Sequence, residues 1–276
     1  MPRAGMTAAP IAEDFSAVGG WIPRTRWRRY WKLLRLLDAA ADARRWWALR
    51  GVRRDLAAAP PANVLLAAIR VPGREAALDR VLAALAATTR HRVTLAVAEM
   101  APVGKFANIN RALAGHDPAG YDWLLIADDD IAVPDGFLDL LLYFAARCDF
   151  KLAQPAHRFL SFASFAVTER HWGALVRRSG FVEIGPVTLL HRDTFADLLP
   201  FPELRWAWGL DIWWADLARR RGWALGVVDA VPIRHLRPIG TAYDTDAARA
   251  EAQAFLARQG VAIGRAELFG IDRRLA

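Results

Sequence analysis

Apolar and polar residues alternate along most of the chain in blocks that predict strands and helices in turn. Short apolar runs, typical of buried strands, occupy residues 64–71, 93–98 and 123–127. Apolar residues at helical spacing occupy residues 78–85, 105–113 and 135–147. This order predicts an α/β fold with a Rossmann-like, mostly parallel sheet and helices on both faces.

The pattern becomes less regular after the third of these helices. Further strands are predicted over residues 151–154, 181–190 and 223–228. Further helices are predicted over residues 211–221 and 247–258, the last of which closes the chain.

The first 61 residues predict a helical arm. Between Trp27 and Leu37 apolar residues recur every three or four positions, with basic residues on the opposite side. A second basic stretch at residues 44–54 contains two tryptophans, and prolines at 60 and 61 end the helix. We therefore predict an arm and linker at 1–61, a main domain at 62–245 and a C-terminal helical extension at 246–276.

Charge and composition indicate where in the cell the protein is located and what it contacts there. The formal net charge is +8, and residues 1–59 hold twelve Arg or Lys against five Asp or Glu. The single cysteine, Cys148, favours a reducing compartment, and no apolar run reaches the roughly 20 residues that span a bilayer. We expect a cytoplasmic protein, peripheral at the inner face of a membrane.

The arm is the expected site of membrane contact. Residues 21–54 combine basic side chains with Trp and Leu, which fit a lipid interface better than a nucleic-acid groove. Nucleic acid is therefore not an expected partner. The alternative that the apolar side of the arm packs on the core stays open at this point.

The sharpest chemical signal is the run Asp128-Asp129-Asp130 directly after an apolar strand. Open α/β sheets bind ligands at the carboxyl ends of their strands. In an extended chain Asp128 and Asp130 lie on one side, where two carboxylates can hold Mg²⁺ or Mn²⁺ together with a diphosphate. Asp129 is a further donor-binding candidate. The alternative is a solvated turn before a helix capped by Asp135.

A basic side chain precedes the acidic strand. Lys105 and Asn110 lie on the predicted helix at residues 105–113. The lysine and the positive end of the helix could bind the phosphates of the donor. The alternative is an ordinary amphipathic helix with a solvated lysine.

An acidic residue among tryptophans marks the segment at residues 206–214. Trp206, Trp208 and Gly209 are candidates for binding an acceptor sugar, since aromatic faces stack on sugar rings. Asp211 could take the proton from the acceptor hydroxyl as a general base. It could also cap the helix that follows, and the two roles are compatible. Trp213 and Trp214 are expected in the core.

His235 follows the last predicted strand. A neutral imidazole there could complete the metal site begun by Asp130. The histidines at 91, 116, 157, 171 and 191 show no spacing typical of ligands.

These blocks, in this order, resemble the GT-A fold and especially the family 2 glycosyltransferases over residues 63–240. The resemblance assigns Lys105 and Asn110 to the helix motif, Asp128 and Asp130 to the nucleotide and metal carboxylates, Asp211 to the base and His235 to the late histidine. The chain resembles more closely a little-characterised GT-A-like family with a Trp-Gly-Leu-Asp block, which is found here at residues 208–211.

The resemblance implies a metal-dependent glycosyltransferase that moves a sugar from a nucleotide-sugar donor to a glycan or lipid-linked acceptor, with inversion. Many family 2 members carry Glu-Asp where this chain has Leu210-Asp211. Glu183, in the predicted strand 181–190, is expected to compensate as an acceptor contact, because a buried carboxylate needs a partner.

Two other functions compete with this interpretation. The first is a non-catalytic module on a GT-A-like scaffold that binds a membrane or a polyanion through its arm. The second is a sugar-phosphate nucleotidyltransferase, which normally needs a glycine-rich loop after the first strand. Residues 70–74 offer only one glycine, Gly73.

Overall fold

The computed structural model describes residues 25–237, 244–264, 267–268 and 271–274. Residues 1–24 of the predicted arm and the side chain of Trp27 lie outside the described part. The described helices are α1 Thr25–Ala58, α2 Glu75–Leu85, α3 Lys105–Leu113, α4 Phe137–Arg147, α5 Phe195–Leu198, α6 Leu210–Arg221 and α7 Thr245–Arg258. The described strands are β1 Asn63–Arg70, β2 Arg92–Glu99, β3 Trp123–Ala127, β4 Ile131–Ala132, β5 Phe150–His157, β6 Arg177–Ser179, β7 Val187–His191, β8 Ala224–His235 and β9 Ile271–Arg274.

The predicted α/β class is confirmed, and the elements from β1 to α4 follow the predicted order. The strand predicted over residues 181–190 is wrong in its first half. Residues 181–186 form a loop, and the strand begins only at Val187. Pro186 has no amide hydrogen to donate to a neighbouring strand, which explains why the pairing starts after it.

The strands form one sheet in the order β2-β1-β3-β7-β5-β8-β6-β9, with β4 paired to β8. Strands β1, β2, β3, β5 and β8 run in the same direction, whereas β7 lies antiparallel between β3 and β5. The carboxyl ends of β1, β3, β5 and β8 therefore share one edge of the sheet, and the candidate acids lie there.

Both faces of the sheet are covered by helices. Along β1, Leu65 and Ala67 join a hydrophobic cluster with residues of α3, α6 and α7. Leu66 and Ala68 point the other way, into a cluster with residues of α2 and α4. The alternation has a period of two, as a strand requires. Continuous apolar runs are therefore expected in these strands, because both faces are buried.

Helix α1 runs through both basic stretches of the predicted arm. It docks on the main domain through Asp38, which is only 5% exposed. The Asp38 carboxylate accepts hydrogen bonds from the backbone amides of Phe159 (3.0 Å) and Leu160 (2.9 Å) and from Arg170 (3.0 Å). Among the described helices, none is both long and apolar enough to cross a bilayer.

Docking leaves most of the apolar side of the arm in solvent. Of the predicted stripe, Leu34 is buried, but Tyr30, Trp31 and Leu37 are exposed. Among the described side chains of this stripe, the alternative of packing on the core is therefore correct only for Leu34. The buried contacts of α1 combine the polar contacts of Asp38 with apolar residues, namely Leu34, Ala41, Leu49, Val52 and Leu56.

We predict that Asp38→Ala lowers the free energy of unfolding by roughly 3 kcal/mol, because it leaves Arg170 buried without this partner and two amides unsatisfied. Asp246→Ala removes an exposed ion pair with Arg249 and is the control; its loss is no more than about 0.5 kcal/mol. Urea denaturation of both variants measures the difference. Equal losses would mean that α1 does not depend on Asp38.

Candidate active site

Three adjacent carboxylates open into a cavity at the carboxyl end of β3. The cavity has a volume of about 420 Å³. Its polar lining includes Arg74, Lys105, Asn108, Asp128, Asp129, Asp130 and Arg205, and Trp206 forms part of its wall. The interpretation of this run as a solvated turn is wrong, since Asp129 is buried and the side chains of Asp128 and Asp130 are largely covered.

Each of the three carboxylates has its own basic partner. Lys105 Nζ lies 2.7 Å from Asp128 Oδ1, and Arg74 Nη2 lies 2.6 Å from Asp129 Oδ1. The third pair joins His235 Nε2 to Asp130 Oδ1 at 3.1 Å. Charge compensation of this kind allows three carboxylates to lie side by side in a partly buried site.

His235 reaches Asp130 because two distant strands pair. The two residues of β4 directly after Asp130 lie antiparallel to the end of β8, with Ile131 opposite His235. The Leu236 amide donates to the Asp130 carbonyl at 2.8 Å, which fixes the same register. The Ser161 hydroxyl accepts from the His235 amide at 2.8 Å. The late histidine therefore meets the acidic run as predicted.

The imidazole of His235 is oriented by its second nitrogen. Nδ1 lies 3.2 Å from the Phe162 carbonyl oxygen, which can only accept, so Nδ1 carries the proton. In the neutral ring Nε2 would then present a lone pair to the Asp130 carboxylate. Two acceptors cannot face each other at 3.1 Å without repulsion. Either a proton or a cation must lie between them.

The charges of the site shift the pKa values in line with this geometry. Burial acts to lower the pKa of His235, but the hydrogen bond and charge of Asp130, with Asp128 and Glu183, raise it above its usual value. Burial acts to raise the pKa of Asp130, but His235, Arg74 and Lys105 outweigh it and hold the pKa below its usual range. Burial raises the pKa of Asp129 despite Arg74.

The pair formed by Asp130 and His235 fits a divalent cation. Two adjacent ligands around an octahedral ion with bonds of about 2.1 Å lie about 3 Å apart, close to the spacing seen here. Carboxylates suit Mg²⁺ and Mn²⁺, and the imidazole favours Mn²⁺, which is the transition-metal ion of the two. No three His, Cys, Asp or Glu side chains of the described chain form a preassembled cage. Ions of this class commonly take substrate phosphates and water as their remaining ligands.

Lys105 is held at the acids, contrary to the alternative of a solvated lysine. Besides Asp128, its ammonium donates to the Ile184 carbonyl at 3.3 Å. A Cβ on Gly185 would lie 2.8 Å from Lys105 Nζ and 3.2 Å from Asp128 Oδ2, so a glycine leaves room for this pair. The loop at residues 181–186 thus leaves room for the pair of Lys105 and Asp128, both of which line the cavity.

Glu183 and His157 form a buried pair next to the metal-type site. Glu183 is 5% exposed, and its Oε2 lies 3.5 Å from His157 Nε2. Within the described part of the chain, neither of these two atoms has a hydrogen-bond partner. The Ser161 hydroxyl that holds the His235 backbone also lies 3.2 Å from His157 Nδ1. A hydroxyl placed between Glu183 and His157 would satisfy both free atoms.

Asp211 is buried in the first turn of α6 and does not line the cavity of the three acids. Its Oδ1 accepts from the Ile212 amide at 3.0 Å. The prediction that Asp211 caps the helix is wrong, because Gly209 occupies the cap position. Burial, reinforced by the negative charge of Glu183, raises the pKa of Asp211 to about 7. Glu183 thus acts electrostatically on both Asp211 and His235.

The tryptophan segment is divided between the cavity and the core. Trp206 lines the cavity of the acids, and its backbone amide donates to Glu251 of α7 at 2.9 Å. Trp208 is half-buried against the core. Gly209 has a φ of +85°, and a Cβ there would lie 3.3 Å from Leu256 Cγ of α7. Trp213 and Trp214 are buried as expected.

Asn110 does not join the acids. Its amide donates to the Phe201 carbonyl at 2.8 Å and accepts from the Phe201 amide at 2.9 Å. Both ends of the side chain therefore anchor a loop, and the predicted role in donor binding has no geometric support. Asn108, two residues earlier, lines the cavity instead.

Sequence reasoning missed four polar residues of the site: Arg74, His157, Asn108 and Arg205. Two of them had a signal. Arg74 follows the carboxyl end of β1, and His157 is the last residue of β5. Strand ends on this edge are where ligands bind, so position in the sheet identifies both. The spacing of histidines along the chain does not identify His157.

Comparison with known proteins gives a likeness in solved structures only. No family model and no curated protein matches the chain. The catalytic domain of Drosophila beta1,4-galactosyltransferase 7 in complex with xylobiose is 14% identical, with 70% of this chain and 81% of that chain covered and a TM-score of 0.46. GalNAc-T7 with UDP, GalNAc and Mn²⁺ is 10% identical, with 72% and 48% covered and a TM-score of 0.44. A mutant of the Drosophila enzyme with manganese, UDP-Gal and xylobiose is 13% identical, with 68% and 79% covered and a TM-score of 0.43.

We predict that Asp130→Asn lowers the pKa of His235 in the metal-free protein. The substitution removes the hydrogen bond and the negative charge that raise this pKa, and burial then favours the neutral ring. Titration of the His235 ring by NMR measures the change. Asp246→Asn, on the exposed face of α7, is the control and leaves the pKa unchanged. An unaltered His235 pKa in Asp130→Asn would refute the pairing.

Proposed function

We propose that the chain is a metal-dependent glycosyltransferase of the GT-A type that uses a nucleotide-sugar donor. The proposal rests on one observation. Asp128 and Asp130 line a single cavity, with Lys105 on one and the oriented Nε2 of His235 on the other. This arrangement provides carboxylate and imidazole ligands for a cation next to basic groups that suit a diphosphate.

The proposed donor site uses residues on three elements. Asp130 and His235 would hold Mn²⁺ or Mg²⁺, with Asp128 beside them. Bound metal stabilises the negative charge that grows on the departing nucleoside diphosphate. Lys105, Arg74 and Arg205 then bind phosphate oxygens, for which their ammonium and guanidinium groups are suited. Trp206 supplies an apolar wall for the nucleoside or the sugar.

The proposed base is Asp211, acting on an acceptor hydroxyl. With a pKa of about 7, Asp211 is ionised in a useful fraction of molecules near neutral pH and is basic enough to accept a proton. Because Asp211 is buried, we propose that the acceptor approaches it beside the segment at residues 206–209, where Gly209 adopts a left-handed conformation. Attack on the face opposite the leaving group inverts the anomeric carbon.

The proposed acceptor contacts include Glu183 with His157. Their free atoms can accept from and donate to one hydroxyl group, as an acceptor sugar would provide. Trp208 and Gly209 belong to the same proposed region. An acceptor that carries a glycan or a lipid-linked sugar meets these requirements.

We predict that Asp130→Ala and Asp211→Ala both abolish turnover of the donor. Only Asp130→Ala weakens donor binding that depends on metal, because only Asp130 belongs to the proposed metal site. The assay incubates the protein with a panel of nucleotide sugars and Mn²⁺ and measures released nucleoside diphosphate. Donor affinity is measured separately by calorimetry with and without Mn²⁺.

Asp246→Ala serves as the control for both measurements, since its side chain forms only a surface pair with Arg249. Equal activity in the wild type and the two site variants would exclude glycosyltransferase activity at this site. It would favour the non-catalytic module instead.

We also predict that kcat/KM rises with pH and levels off above a midpoint near 7, the pKa of Asp211. Asp211 accepts a proton only when ionised, so the rate falls as pH drops below this pKa. Glu183→Gln removes a charge that raises the pKa, and the midpoint therefore moves to lower pH. Measuring the profile at saturating Mn²⁺ keeps the metal site constant. A midpoint that stays in place in Glu183→Gln would assign the titration to another group.

A further inference from the structure

Docking of α1 separates its charges by sign. The acids Asp38 and Asp42 both face the main domain, where they pair with Arg158 and Arg170. The outward surface carries basic groups, among them Lys32, Arg50 and Arg54, all of which are exposed. The two acids thus neutralise arginines of the main domain, and the solvent side of the helix is left strongly positive.

Large apolar side chains lie among these basic groups. Leu36 is 68% exposed and Trp47 is 65% exposed, with Tyr30, Trp31, Leu33 and Trp46 also in solvent. On a helix of 3.6 residues per turn, Lys32, Leu36, Trp47 and Arg50 fall on the outward side, opposite Leu34. We call this surface the outer face of α1; it is formed by Lys32, Leu33, Leu36, Trp46, Trp47, Arg50 and Arg54.

The basic and aromatic groups of the outer face are organised together. The Arg50 guanidinium lies 3.9 Å from the centre of the Trp46 ring and 4.5 Å from that of Trp47. Lys32 lies 5.7 Å from the centre of the Trp31 ring. An aromatic ring with a cation at its side is suited to the boundary between lipid headgroups and acyl chains.

The docked side of α1 contacts the edge of the sheet that holds the candidate active site. Asp38 binds the backbone at Phe159 and Leu160, directly after the carboxyl end of β5. Ser161, the next residue, accepts from the His235 amide.

We propose that the outer face of α1 binds the surface of a membrane that contains anionic lipids. Basic groups provide attraction to the negative headgroups, and Trp47, Leu36 and Trp46 provide apolar area that enters the interface. A nucleic acid would use the charge but not the exposed leucines, and it would bury no Trp-Leu surface. The proposal is independent of any catalytic activity.

The test measures sedimentation of the full chain with phosphatidylcholine vesicles, with and without phosphatidylglycerol. We expect binding to the anionic vesicles only, with affinity that falls as salt rises. Lys32→Gln and Arg50→Gln each weaken binding about fivefold, as expected for one basic charge at a membrane surface. The double variant Leu36→Ala/Trp47→Ala weakens it at least as much.

Two matched controls lie elsewhere on the molecule. Leu95→Ala changes a leucine that is 47% exposed on the edge strand β2, and Arg258→Gln changes an exposed arginine on α7. Both retain wild-type binding. Far-UV circular dichroism checks that each variant is folded, as we expect because the altered side chains are on the surface.

Several results would overturn the proposal. They are absence of vesicle binding, equal binding to neutral and anionic vesicles, and equal losses in the control variants. Binding to an oligonucleotide without binding to vesicles would assign the face to a nucleic acid. A dimer that forms without lipid and is lost in Leu36→Ala/Trp47→Ala would assign it to a second copy of the chain.

Discussion

Mutual repulsion of three adjacent carboxylates is the constraint on which the site depends. Asp128, Asp129 and Asp130 leave one strand end together, and each is paired with a basic side chain from a different part of the chain. Lys105 comes from the start of α3, Arg74 from the start of α2 and His235 from the end of β8. The acids therefore hold three separate segments around one cavity.

The same pairs show why the arrangement suits a ligand with a metal and phosphates. A basic group that neutralises a carboxylate can bind a phosphate oxygen instead, once a metal ion neutralises the acid. The Asp130–His235 pair is the clearest case, because the Phe162 carbonyl fixes the proton on Nδ1. Nε2 then needs either a proton or a metal ion. Binding of a metal ion would therefore replace the positive charge of the proton with that of the ion.

The buried acids behind this cavity are linked to it by charge. Glu183 raises the pKa of both Asp211 and His235, although Asp211 does not line the cavity. Burial without a strong cationic partner gives Asp211 the higher pKa that a base near neutral pH requires. The pKa of Asp130, which is paired with His235, is shifted in the opposite direction and lies below its usual range. Two environments thus give two aspartates different chemistry within one fold.

Local patterns in the sequence were enough to predict the strands and helices that build the site. Apolar runs predicted β1, β2 and β3, helical spacing predicted α3 and α6 closely, and the position of the acids after β3 followed from the same pattern. The reason is physical: a strand or helix that is buried must have apolar residues with its own period. The candidate residues Lys105, Asp128, Asp130 and His235 were found in this way, since each lies at the end of such an element.

Tertiary structure alone decided which residues meet. The pairing of β4 with β8 that joins His235 to Asp130 spans about a hundred residues, and no local pattern encodes it. Asn110 was misassigned because a helix motif does not show that Phe201 will take both ends of its amide. The outer face of α1 was likewise settled by docking, because the contacts of Asp38 and the packing of Leu49, Val52 and Leu56 on the core together define the buried side.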